Sequence, residues 1–151
     1  MLIAQISDTH ISPNSEEGPS RRRWLERSVN AINALVPQPD VVIHTGDLTH
    51  QAGDDEFAEG LEVVGALTAP LFMVPGNRDE RRKLRSLYLD LNYLDPGSPF
   101  VQYTIENYDV RLIGLDTIAV GDKKGEFCDA RLADLKKALK VDDRPTAIFM
   151  H

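Results

Sequence analysis

The sequence predicts an α/β fold, a largely parallel sheet interrupted by one antiparallel hairpin. Two observations lead there. Short apolar runs alternate with segments of helical periodicity, the pattern of strands linked by crossover helices. Between residues 100 and 116 two adjacent runs are separated by only a tight turn, which a crossover helix cannot fit.

Leu2–Ser7 is a short apolar run closed by polar residues, the form of a buried first strand. Residues 8–20 are rich in Ser, Pro, Asn and Gly and read as a loop. From Arg21 to Val36, the residues Trp24, Leu25, Val29, Ile32 and Leu35 recur near helical spacing, and Pro37 and Pro39 stop the helix. Asp40–Thr45 is a β-branched second strand followed by the turn-rich residues 46–53. Asp54–Leu67 carries Phe57, Leu61, Val64 and Leu67 on one helical face. Pro70–Val74 makes a third strand ended by Pro75 and Gly76, and Asp79 suits the N-cap of a helix reaching about Leu91. Phe100–Glu106 and Val110–Asp116 form the hairpin across residues 107–109. Ala130–Leu139 is helical with Leu132, Leu135 and Leu139 inward, and Thr146–Met150 starts another strand before His151.

The 151 residues have the length of one ordinary domain, long enough to bury a core. A balance of 17 basic against 24 acidic residues, net −7, supplies no general basic face for a nucleic-acid polymer. Cys128 has no second cysteine to pair with. No stretch reaches the roughly 20 apolar residues of a membrane helix. The opening MLIAQISDTH lacks the basic region of a signal peptide. These features predict a soluble, cytoplasmic protein with no membrane segment, and leave homo-oligomerisation open.

Position carries the functional argument. In open α/β sheets, ligands bind beyond the carboxyl ends of the strands. Asp8 and His10 follow the first strand, Asp47 the second, Asn77 the third and His151 the last, so all five fall on one sheet edge. Singly, Asp8-x-His10, Gly46-Asp47 and Gly76-Asn77-Arg78-Asp79 are ordinary turn sequences. Together and in this order they are specific.

In that order they resemble the calcineurin-like metallophosphoesterases, whose run is Asp-x-His, Gly-Asp, Gly-Asn-His-Asp/Glu, a His pair, then Gly-His-x-His. SDTH, HTGDLTH and VPGNRD match the first three blocks, and IFMH the approach to the fourth. GDLTHQAGDDEF and GEFCDARLADL look most like the bacterial cyclic-nucleotide and glycerophosphodiester phosphodiesterases. The resemblance implies a four-layer α-β-β-α sandwich with helices outside a mixed sheet. Residues 1–151 would be one domain of it, cut at the C-terminus before Gly-His-x-His.

It also implies a site. Asp8 and His10 would hold one divalent ion, Asp47 would bridge two, and Asn77 and His151 would serve the second. Carboxylate, amide and imidazole donors suit Mn, Fe, Co or Zn. Two such ions lower the pKa of a bridging water and hold phosphate oxygens for in-line attack. The implied substrate is a small phosphodiester, a cyclic nucleotide such as cAMP or a glycerophosphodiester.

Arg78 stands where the family has histidine. Arginine stays protonated near neutral pH, so it cannot serve as a proton donor to the leaving oxygen, but its planar fork can clamp a phosphate. The plain alternative pairs it with Asp79 or Glu80. His50, near the rim, is read either as a substrate contact or as a solvated loop residue. His44 is read as a core histidine or a partner of the metal ligands. Arg21–Arg23 and Arg78–Arg85 read as solvated basic stretches, and Cys128 as a small buried hydrophobe. A non-catalytic scaffold is the alternative function, but it needs none of Asp8, His10, Asp47 and Asn77. A chain cut before Gly-His-x-His is expected to be an inactive or partial fragment of the enzyme. A nuclease is disfavoured by the net charge of −7.

Overall fold

The computed structural model describes residues 1–88 and 93–151, so the far end of the expected third helix, toward Leu91, lies outside the described residues. In chain order the elements are β1 (Ile3–Ile6), α1 (Gly18–Asn33), β2 (Val41–His44), α2 (Asp54–Val64) and β3 (Leu71–Met73). They continue with α3 (Arg81–Tyr88), β4 (Tyr103–Ile105), β5 (Arg111–Gly114), α4 (Asp129–Leu139) and β6 (Thr146–Phe149).

The first half is a parallel sheet of order β1-β2-β3, with Ile3 opposite Val41 and Val42 opposite Leu71. β2 lies in its centre, and all four of its residues are buried. A strand covered on both faces needs an unbroken apolar run, which Val41, Val42 and Ile43 provide. α1 starts with Pro19 in its first turn, where the absent N–H is no loss. It buries Leu25, Val29 and Ile32, spaced four and three apart on one face. Trp24 and Leu35, expected on that face, are instead exposed at 59% and 44%. Arg22 ties α1 to α2 through Glu59 and Glu62. At the start of α2, Glu56 accepts hydrogen bonds from the backbone nitrogens of Gly53, Gln51 and His50, which fixes the loop leaving β2.

The second half is a separate sheet of order β4-β5-β6. The expected hairpin is there, with β4 and β5 antiparallel, and β6 pairs with β5 in parallel. The architecture is therefore two three-stranded sheets, one parallel and one mixed. One apolar core joins them, taking Val41, Ile43 and Met73 from the first and Tyr103, Leu112 and Phe149 from the second. The Tyr103 hydroxyl donates to the Met73 carbonyl at 2.6 Å.

α4 keeps Leu132 and Leu135 half-buried and departs from its expected leucine face at Leu139. Leu139 is 43% exposed, whereas Arg131 is 2% exposed. Arg131 lies 4.8 Å from the Phe100 ring centre and donates to the carbonyls of Asp116 and Ile118. Arg81 grips the fully buried Asp116 carboxylate with a two-pronged contact at 2.6 and 2.9 Å. The 78–85 stretch is thus no mere solvated face. Arg81 of that stretch and Arg131 of α4 together pin the turn at residues 116–118. Cys128 is half-buried and precedes α4, its sulfur accepting from Arg131.

Candidate metal centre

The loops leaving β1 and β2 stay paired after the strands end. Asp8 N–H donates to the Gly46 carbonyl, His10 N–H to the Asp47 carbonyl and Ile11 N–H to the Leu48 carbonyl, at 2.8–3.0 Å. This interlock holds Asp8, His10 and Asp47 in the left-handed region, at φ 55°, 47° and 55°. Each costs about 1 kcal/mol or more in a non-glycine residue, and all three are candidate ligands. Gly46, at φ 102°, meets the same demand without a Cβ. From outside, Arg21 donates to the His10 carbonyl at 2.9 Å. That arginine is a support of the loop, where a solvated turn was expected.

Asp47 is buried and central. Its Oδ1 accepts the Arg78 backbone N–H at 2.7 Å. Its Oδ2 lies 3.7 Å from His10 Nε2 and 3.7 Å from His151 Nε2. On one side, Asp8 Oδ1 is 3.8 Å from His10 Nε2, and donor atoms of Asp8, His10 and Asp47 all lie within 4.8 Å of one another. On the other, Asn77 Oδ1 is 3.2 Å from His151 Nε2. Donors about 2.1 Å from a shared ion stand roughly 3–3.4 Å apart, so these spacings are near those of a cation site.

The donor chemistry fits as well. His151 Nδ1 is 2.9 Å from the Thr45 carbonyl, an acceptor only, and so carries the proton. His151 Nε2, Asn77 Oδ1 and Asp47 Oδ2 converge there, the atom types that ligate a divalent cation.

One support was misread in the sequence, and another stands where a core histidine was expected. Asp79, expected to cap α3, does something else. Its carboxylate is buried and accepts from Leu48 N–H, Thr49 N–H, the Thr49 hydroxyl and Gly76 N–H at 2.8–3.3 Å. It therefore clamps the Asp47 loop to the Asn77 loop. Gly76 allows their approach, since a Cβ there would collide with the backbone nitrogen and carboxylate of Asp47. His44 is fully buried; its Nδ1 accepts from Gly46 N–H, so Nε2 carries the proton toward Thr9 Oγ1 at 3.2 Å. Thr9 in turn donates to the Leu48 carbonyl. Burial pushes the His44 imidazole down to about 4, keeping it neutral.

His50 stands edge-on to His10 with ring centres 5.8 Å apart, half-buried on the His10 side. Arg78 is half-buried, and among the described residues its guanidinium reaches no acid. Asp79 is committed to the clamp, and Glu80 faces Lys83 at 3.8 Å, so the alternative pairing does not form.

A profile of the calcineurin-like phosphoesterases matches residues 1–150. The chain belongs to that family. Membership implies divalent metal ions, in keeping with the donor set above. The glycerophosphodiester phosphodiesterase GpdQ of Enterobacter lignolyticus is 32% identical over 167 residues, covering 100% of this chain and 56% of its own length. The cAMP phosphodiesterase CpdA of Escherichia coli is 25% identical, covering 99% and 54%. The chain thus spans about half the length of the curated relatives it matches. Purple acid phosphatase PPD1 from yellow lupin seeds shares the fold, with a TM-score of 0.60 over 99% of this chain and 30% of its own, at 13% identity. No helix among the described residues is long and apolar enough to cross a membrane.

Proposed function

We propose that the protein hydrolyses small phosphodiesters at a centre of two divalent ions. Asp8 and His10 would hold one, Asn77 and His151 the other, and Asp47 would sit between them. The observation that carries this reading is Asp47 Oδ2, 3.7 Å from the Nε2 atoms of both His10 and His151. The donor set suits Mn, Fe, Co or Zn. When bound, such ions polarise phosphate oxygens and acidify a water for in-line attack.

The chain's own residues supply position and charge. The Asp79 clamp and the Gly76 approach set the span between Asp47 and Asn77. The fork of Arg78, which reaches no acid among the described residues, is available to a phosphate oxygen, so it orients the diester and the leaving oxygen takes its proton from elsewhere. Relatives named for glycerophosphodiesters and cAMP support a small diester as substrate.

Metal content by mass spectrometry and turnover of bis(p-nitrophenyl) phosphate with Mn²⁺ test this in the wild type and Asp47→Asn. Two ions per chain are expected, with a rate that falls about a hundredfold or more in the variant. Metal-free protein without turnover would refute the enzyme and leave a scaffold.

A further inference from the structure

A cavity of about 770 Å³ opens beside Asn77, between the start of α3 and the 118–123 loop. Its lining includes Arg82, Arg85 and Lys123 together with the apolar Ile118 and the exposed Val120. Among the described residues Arg85 donates to the carbonyls of Phe100 and Asp95 and reaches no carboxylate. Arg82 and Lys123 are exposed and reach no carboxylate among the described residues. Three acids share the lining, and among the described residues none pairs with these cations. Asp79 holds the backbone clamp, Glu80 faces Lys83, and Asp122 accepts from Lys124 N–H. Three cations that form no ion pair among the described residues thus face one concave space.

Size and position add to charge. Cavities that take whole small ligands run from about 300 to 1,000 Å³, so this one has room for far more than a phosphate group. It meets the metal centre at Asn77, and a smaller cavity of about 290 Å³ shares Asn77 and Lys123 with it and reaches His151. A diester whose phosphate lies at the centre would have this space beside one of its alcohol arms.

We propose that the cavity is the subsite for that arm, and that Arg82, Arg85 and Lys123 select arms bearing a second anionic group. This rests on the diester reading above. A second anion would convert three unpaired cations into charge-assisted contacts in a partly enclosed site. A small neutral arm such as glycerol would leave the cations unpaired and most of the volume empty.

Two probes differ by a single group: the p-nitrophenyl ester of thymidine 5′-phosphate, and the same ester with a further phosphate on the sugar 3′-oxygen. Binding is read by calorimetry with Ca²⁺, and nitrophenolate release with Mn²⁺. The doubly anionic ester is expected to bind about tenfold tighter, the lower end for a charge-assisted contact at a part-exposed site. Arg82→Ala/Lys123→Ala should shrink that ratio below about threefold. Lys136→Ala/Lys140→Ala, an equal charge change on α4 away from the cavity, should preserve it. Equal binding of the two esters, no binding of either, or a ratio that both double variants lower alike, would overturn the proposal. Preferential binding without turnover would sink the diesterase reading and leave the anionic subsite standing. Turnover with no preference would do the reverse.

Discussion

Asp79→Asn separates a clamp from a simple helix cap. The carboxylate accepts four hydrogen bonds, from Leu48 N–H, Thr49 N–H, the Thr49 hydroxyl and Gly76 N–H. An asparagine retains one acceptor oxygen. If that oxygen serves Thr49, the amide NH₂ is turned against Leu48 N–H and Gly76 N–H, leaving two buried donors facing a third. Each stranded donor costs about 1–3 kcal/mol, which gives about 4 kcal/mol in all. For a domain of this length about 3 °C of melting temperature goes with each kcal/mol, so a drop of about 12 °C follows. Because the clamp sets the distance between Asp47 and Asn77, Mn²⁺ affinity should fall about tenfold as well. Thermal melts with a chelator and a Mn²⁺ titration at a temperature where both proteins are folded measure the two effects. A melt within about 3 °C of wild type together with unchanged Mn²⁺ affinity would refute the clamp.

Two further outcomes follow from the same corner of the molecule. His44 is neutral in the fold at about 4 against an ordinary 6.5, so between those pH values the unfolded chain binds the extra proton and stability falls as pH falls. The depressed pKa corresponds to about 3 kcal/mol, present above about pH 6.5 and lost on approach to pH 4. With chelator present, His44→Gln should lose less stability between pH 7 and pH 4.5 than wild type in urea unfolding; equal losses would contradict the burial argument. Gly76→Ala places a methyl into Asp47 and should cost about 3 kcal/mol or more along with bound metal, read by melting and mass spectrometry. An alanine variant with wild-type metal content would show that the two loops can part without consequence.

The amino-acid sequence by itself determined the order of elements, the parallel first half, the hairpin and the placing of Asp8, His10, Asp47, Asn77 and His151 just after strand ends, although His151 follows a strand of the second sheet and not of the same one. These are local matters. An apolar run such as Val41–Ile43 reports its own burial, and a ligand next to a strand end travels with that strand. Tertiary structure alone decided the rest. It split the strands into two sheets, turned Trp24 and Leu35 outward, and buried Arg131 where leucines were expected. It set Asp79 as a clamp, and it fixed the tautomer of His151 through the carbonyl of Thr45, 106 residues away. The physical reason is that apolar burial follows a period readable along the chain, whereas a buried charge or imidazole is tolerable only with partners. Those partners come from distant segments that meet only in the folded state.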